Sequence, residues 1–189
     1  LARFLGANGF HTITNNLPGH GVTAKDCNSV KYQDWFTFIK QDIAKLASVS
    51  KKVYVVGCSM GGGLALYASS MFPVNACIVG GTVLKFNNPF VINYINRFLC
   101  KFVKTRNKQS RNKNQNVKFY GYKDYPLVAL NEMRKMNKYI QSTLQAVQCP
   151  TLIIHSTADG LSLKENADII YNRISSKIKL KLLVNKAHH

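Results

Sequence analysis

The run Val53-Tyr54-Val55-Val56-Gly57-Cys58-Ser59-Met60-Gly61-Gly62-Gly63 constrains this chain more than any other stretch. Four consecutive apolar residues read as a fully buried parallel strand, because a strand with one wet face would alternate. Small residues then open a helix over 60–71, stopped before Pro73. Between strand and helix lies a G-x-S-x-G turn. Gly57 and Gly61 are expected to leave room where a Cβ would collide with neighbouring backbone. A strand that passes through a sharp turn into a helix commits the chain to parallel strands with helical crossovers.

The rest of the chain follows that alternation. Phe10 to Thr14 reads as a short strand, and Leu17-Pro18-Gly19-His20-Gly21 as a turn. Tyr32, Trp35, Phe36, Ile39, Ile43 and Leu46 recur at helical spacing. Ala76 to Val79 and Thr151 to His155 read as buried strands, and Lys179 to Val184 as the last strand. Ser162 with Glu165 three residues on forms a capping-box pattern for a helix carrying Leu163, Ala167, Ile170 and Ile174 on one face. The stretch from Lys85 to Gln148 breaks the rhythm. It is polar, basic and helical in character, with Phe90, Tyr94, Phe98 and Phe102 at four-residue spacing. The expected organisation is therefore an α/β core from 1 to 84, an inserted helical cap from 85 to 148, and the core resumed from 149 to 189. Within the cap, Thr105 to Asn116 should be a mobile connection.

With 189 residues and 46% hydrophobic composition, the chain can bury one domain core. No apolar run reaches the roughly 18 residues of a membrane span. The first residue is Leu1 rather than Met, and the last are His188 and His189, so the sequence reads as an internal fragment. The five cysteines are odd in number and include no C-x-x-C pair, which argues against a disulfide framework or a zinc site and for free thiols in the cytoplasm. Lys and Arg total 26 against 8 acids, a net +18. Richness in Lys, Asn and Ile accounts for most of this. The exception is the acid-free segment with Lys101, Lys104, Arg106, Lys108, Arg111, Lys113 and Lys118, which suits peripheral contact with an anionic membrane. No nucleic-acid motif is present.

The chemistry centres on the sharp turn. By composition, roughly one chain in twenty of this length carries its spacing by chance. The strand before and helix after are what make Ser59 a candidate nucleophile. The helix N-terminus at the turn favours developing negative charge, and the Met60 N–H can donate to an oxyanion. A serine needs a base and an orienting acid. Of the downstream acids Asp124, Glu132, Asp159, Glu165 and Asp168, only Asp159 falls just past the C-terminal end of a buried strand, where sites of open parallel sheets form. Among the histidines, His155 sits in or at the end of a strand and reads as packed. His188, with His189 as the fallback, follows the last strand after a short loop, where a base belongs. Cys58 is one position off the turn's nucleophile. His20 between two glycines faintly suggests an oxyanion loop, and a plain turn is the better reading.

Leu17-Pro-Gly-His-Gly21, Asp34-Trp35, Gly57-Cys-Ser-Met-Gly-Gly62, Pro150-Thr-Leu-Ile-Ile-His155 with Asp159, Asn166 to Ile174, and Ala187-His188 together resemble small bacterial carboxylesterases and monoacylglycerol lipases of the α/β-hydrolase superfamily. The resemblance covers nearly the whole chain outside the cap. It implies a mostly parallel sheet flanked by helices, with N- and C-terminal parts apparently missing, and a Ser59–Asp159–His188 triad. It also implies no metal or other cofactor. Lys186-Ala187 replaces the family's usual Ser-Gly before the histidine, and Gly160-Leu161 after the acid is atypical. An early strand with a His-Gly loop, a third sheet strand and a final helix, all usual in the family, have no counterpart in these residues. Unpaired strand edges should make residues 1–189 insoluble or inactive alone. The activity implied is hydrolysis of short- to medium-chain esters or monoacylglycerols through an acyl-serine, the aromatic cap suiting an apolar acyl chain. The rival classes are a thioesterase or amidase on the same site, and a basic protein binding anionic membrane or RNA on a hydrolase scaffold.

Overall fold

A computed structural model describes residues 1–107, 122–185 and 187. In chain order the elements are α1 (Ala2–Ala7), α2 (Ala24–Asn28), α3 (Tyr32–Val49), β1 (Tyr54–Cys58), α4 (Met60–Met71) and β2 (Ala76–Gly80). A π-helical stretch (Val91–Asn96) runs into α5 (Arg97–Leu99), followed by β3 (Thr105–Asn107), β4 (Asp124–Pro126) and α6 (Leu127–Thr143). A 3-10 turn (Leu144–Ala146), β5 (Thr151–Ser156), α7 (Glu165–Arg173) and β6 (Lys179–Val184) complete it.

The main sheet is parallel throughout, in the order β1-β2-β5-β6. Its register sets two faces. Val55, Cys77, Val79, Ile153 and His155 point to one, where Cys77, Val79, Ile153 and His155 are buried. The cover on that face is built on α4, whose Gly62 to Ser69 are all buried. Phe36 of α3 stacks on Tyr67 of α4 at 3.6 Å. Met136 and Ile140 of α6 are fully buried in the same cluster, each contributing about 2–3 kcal/mol of apolar burial. Tyr54, Val56, Leu180 and Leu182 point to the other face and are all exposed.

Four expectations are corrected. Residues 10–14 form no strand, because no ladder partner lies beside them among the described residues; Phe10 instead meets the edge of Tyr54 at 6.4 Å. The run at Val53 is not fully buried. β1 is the outermost strand of the described sheet, and Tyr54 and Val56 stand open at 47% and 44% exposure. Beside it an apolar cleft of about 230 Å³ runs under α3. Ser162 caps no helix: α7 starts at Glu165 without a side-chain cap, and the Ser162 hydroxyl donates to the Thr82 carbonyl (2.8 Å). Thr105 to Asn107 pair with Asp124 to Pro126 rather than forming a loose link, and 108–116 lie outside the described residues. Phe90, Tyr94 and Phe98 lie along the helical stretch as expected and Phe102 in the turn after it, but each is more than 60% exposed.

Candidate active site

At the end of β1 the backbone reverses through Ser59 with φ 53° and ψ −120°, the only positive φ outside glycine among the described residues. An L-residue is strained there, so the surrounding structure must hold it. Its N–H donates to Gly80 O on β2 (2.9 Å), and its carbonyl accepts from Gly62 N (3.1 Å). Gly57 is obligatory. A Cβ there would lie 2.1 Å from Gly61 O, 2.4 Å from Gly61 C and 2.8 Å from Gly62 N, all backbone. Gly61 differs from expectation, since a Cβ on it meets nothing within 4 Å; the crowding is one-sided, with Gly61 supplying the backbone that Gly57 presses on. Gly62 must also lack a side chain, because Thr82 Oγ1 sits 2.2 Å from where its Cβ would be. Met60 is the first residue of α4, so its N–H belongs to the helix N-terminus.

Asp159 follows β5 by three residues. Its Oδ1 accepts from Leu161 N and Ser162 N, both at 2.8 Å, which ties the carboxylate into a tight loop. Parallel pairing puts the C-terminal ends of β1, β5 and β6 on one edge of the sheet. β1 and β5 are separated there by two strand spacings, about 10 Å. The segment after β6 returns to that edge: Thr157 N donates to Val184 O (3.0 Å), Thr157 Oγ1 to Asn185 Oδ1 (3.2 Å), and Ser156 Oγ to Ala187 O. His188 and His189 lie outside the described residues.

His155 is packed, as read from the sequence: it is 2% exposed, with Nε2 3.0 Å from Ser162 O. His20 belongs to a turn, its N–H donating to Leu17 O (2.9 Å) and its ring edge-on to Trp35 at 5.8 Å. Cys58 is exposed, and all five cysteines are free thiols. Among the described residues no cluster of His, Cys, Asp or Glu could hold a metal ion, and no helix is long and apolar enough to cross a membrane. Of the basic segment, Lys101, Lys104 and Arg106 are described, and Lys108, Arg111, Lys113 and Lys118 lie outside.

Sequence reasoning missed the residues that hold residues 82–85 behind the turn. Asn166 Oδ1 accepts from Leu84 N (3.2 Å) and Lys85 N (2.7 Å), while its Nδ2 donates to Lys85 O (3.0 Å). Asn137 Nδ2 donates to Val83 O (2.9 Å). Asn166 and Asn137 are both nearly fully buried. The available signal was an amide beside the apolar residues of each helix's buried face, which demands a specific partner.

A strained serine between a parallel strand and a helix N-terminus, at the C-terminal edge of a parallel sheet, defines a serine hydrolase of the α/β-hydrolase fold. The family of serine aminopeptidases S33 matches residues 1–189, and the chain belongs to it. It is similar to the thermostable monoacylglycerol lipase of Bacillus sp. (strain H-257), at 26% identity over 205 residues covering 100% of this chain and 75% of that protein. It is also similar to a carboxylesterase of Bacillus subtilis (strain 168), at 19% identity over 181 residues covering 95% and 73%. A structure from work on the metagenome-derived lipolytic enzymes LipS and LipT superposes with TM-score 0.90 at 25% identity, covering 100% of this chain and 77% of that one. Monoglyceride lipase from Saccharomyces cerevisiae shares the fold, with TM-score 0.72 at 16% identity over 100% of this chain and 72% of that one.

Proposed function

We propose that this chain belongs to an enzyme that hydrolyses carboxylic esters, with short- to medium-chain esters or monoacylglycerols as substrates. The observation that carries this reading is the strained backbone of Ser59 at the head of α4. His188 removes the Ser59 proton as the hydroxyl attacks the ester carbonyl, and Asp159 holds the imidazole tautomer and stabilises the imidazolium. The Met60 N–H donates to the oxyanion. The alcohol leaves with the proton from His188, and water activated by the same base releases the acid from acyl-Ser59. Two contacts support the assignment: the Asp159 loop is tied down by its own carboxylate, and Ala187, next to His188, is tethered to Ser156 on β5.

Residues 85–148 act in this reading as the cap over the site, and the free thiols suit the cytoplasm. The ester preference follows what the monoacylglycerol lipase and carboxylesterase relatives are named for. The family's description as aminopeptidases supplies the rival, cleavage of an amide by the same serine. The complete gene product should be assayed on p-nitrophenyl esters, monoacylglycerols and aminoacyl p-nitroanilides, with fluorophosphonate labelling of Ser59. Equal labelling of Ser59→Ala would refute the nucleophile. Anilide turnover without ester turnover would favour the rival. Retained activity in His188→Ala with loss in His189→Ala would move the base by one residue.

A further inference from the structure

A polar groove of about 710 Å³ lies away from the serine, between the first turn of α3 and the outer side of α6, with Arg97 of α5 on its wall. Lys31, Arg97, Arg134, Lys135 and Lys138 line it, with Glu132 as its one acid. The Glu132 carboxylate already has partners. Its Oε1 accepts from Lys135 Nζ (2.5 Å), its Oε2 accepts from Tyr32 N (3.3 Å), and the residue is 6% exposed. Arg134 donates Nε to Asn131 (3.0 Å), and among the described residues neither it nor Lys31, Arg97 or Lys138 is ion-paired. Four of the five cations therefore face one concavity without an ion-pair partner among the described residues.

The chain has no acid left to supply one. Its eight acids all lie in described residues, and none of the other seven lines the groove. Asp26 and Asp34 accept from backbone N–H groups at the starts of α2 and α3, Asp42 meets Asn15 and Lys45, Asp159 holds its own loop, and Asp168 pairs with Lys181. Asp124 is in β4 and Glu165 opens α7. Like charges gathered in a concave surface focus a potential that only an external anion relieves. Forked guanidinium groups beside ammonium groups match a phosphate.

We propose that this groove binds a phosphate-ester anion. The neighbouring surface favours a phospholipid headgroup as the source. Tyr94 lies in the π-helical stretch, Arg97 and Phe98 in α5 and Lys101 in the turn just past it, with Tyr94 and Phe98 at 66% and 65% exposure. Lys101 Nζ lies 5.9 Å from the Phe98 ring centre. Exposed rings alternating with cations along one short segment suit the headgroup layer, where rings enter and cations stay with phosphates. Arg97 belongs to both that segment and the groove. The proposal does not rest on the hydrolytic reading, so it is tested in a Ser59→Ala background.

Binding is measured by co-sedimentation with vesicles of phosphatidylcholine alone or mixed with phosphatidic acid, and by calorimetry with glycerol 3-phosphate. Arg97→Gln with Lys138→Gln should lower partition onto the acidic vesicles about 25-fold, at about fivefold per cation. The control Lys51→Gln with Lys52→Gln removes the same charge from exposed lysines outside the groove, and should change it less than threefold. Phe98→Ser should weaken vesicle binding and leave glycerol 3-phosphate binding intact. Glycerol 3-phosphate binding that is lost in the groove variant, with no vesicle preference, supports the phosphate site with a soluble source. Equal losses in the groove and control variants, or no binding of either phosphate probe, would overturn the proposal. Tighter binding of single-stranded RNA than of either probe, lost in the same variant, would overturn the phospholipid assignment.

Discussion

Replacing Gly57 by Ala tests the geometry on which the site depends. The new methyl would start 2.1 Å from the Gly61 carbonyl oxygen, and ordinary contact begins near 3.4 Å. The first turn of α4 would have to retreat by about 1.3 Å (3.4 − 2.1). That turn cannot move alone, because the Gly62 position is backed by Thr82 and that of Gly63 by Ile140. Overpacking a tight site costs about 1–3 kcal/mol, and a backbone clash belongs at the top of that range, near 3 kcal/mol. Misplacing a nucleophile by about 1 Å costs on the order of 100-fold in rate. Urea unfolding followed by circular dichroism, with the rate of fluorophosphonate labelling, reads both effects. Gly61→Ala is the matched control: nothing lies within 4 Å of the added atom, so stability should stay within about 0.5 kcal/mol of wild type or rise slightly. Wild-type stability and labelling in Gly57→Ala, or equal damage from both substitutions, would refute the reasoning.

Ser59→Gly should be more stable than Ser59→Ala by about 1–3 kcal/mol, read from urea midpoints, because glycine adopts φ 53° without strain. Asn166→Ala should cost about 2–4 kcal/mol in the same assay, since it strands the N–H groups of Leu84 and Lys85, of which Leu84 is 2% exposed. Thr82→Val should be neutral or stabilising by about 1 kcal/mol, because the buried Thr82 hydroxyl has no hydrogen-bond partner among the described residues. Under native conditions a thiol-exchange reagent should modify exposed Cys58 and spare Cys77, identified by peptide mapping. Burial pushes the Cys77 thiol up to about 12, so the thiolate is roughly one part in 10⁵ at pH 7.

The serine turn was legible because its requirements are local. A strand, a reversal and a helix start within a dozen residues leave little choice of backbone, and Met60–Met71 and Lys179–Val184 match the expected elements residue for residue. Three of the expectations that failed each needed a distant partner. Phe10 to Thr14 has strand composition, but a strand exists only as part of a ladder. Ser162 and Glu165 have capping spacing, but the hydroxyl went to Thr82, eighty residues away. Gly61 looked as crowded as Gly57 because sequence spacing does not say which side of a close approach is open. The basic groove was illegible for the same reason: Lys31, Arg97 and Lys138 are scattered through a uniformly basic sequence and become a site only where α3, α5 and α6 meet.

The chain has a single tryptophan, and its position gives the protein a built-in optical probe. Trp35 is 1% exposed, and its indole N–H donates to the Pro18 carbonyl (3.1 Å). The His20 ring stands edge-on to it, and Tyr122 clamps the same turn by donating to Gly19 O and accepting from Gly21 N, both at 3.1 Å. Intrinsic emission therefore reports on this one corner of the molecule. Any ligand or lipid that shifts residues 17–21 will change its colour or intensity without a label being added.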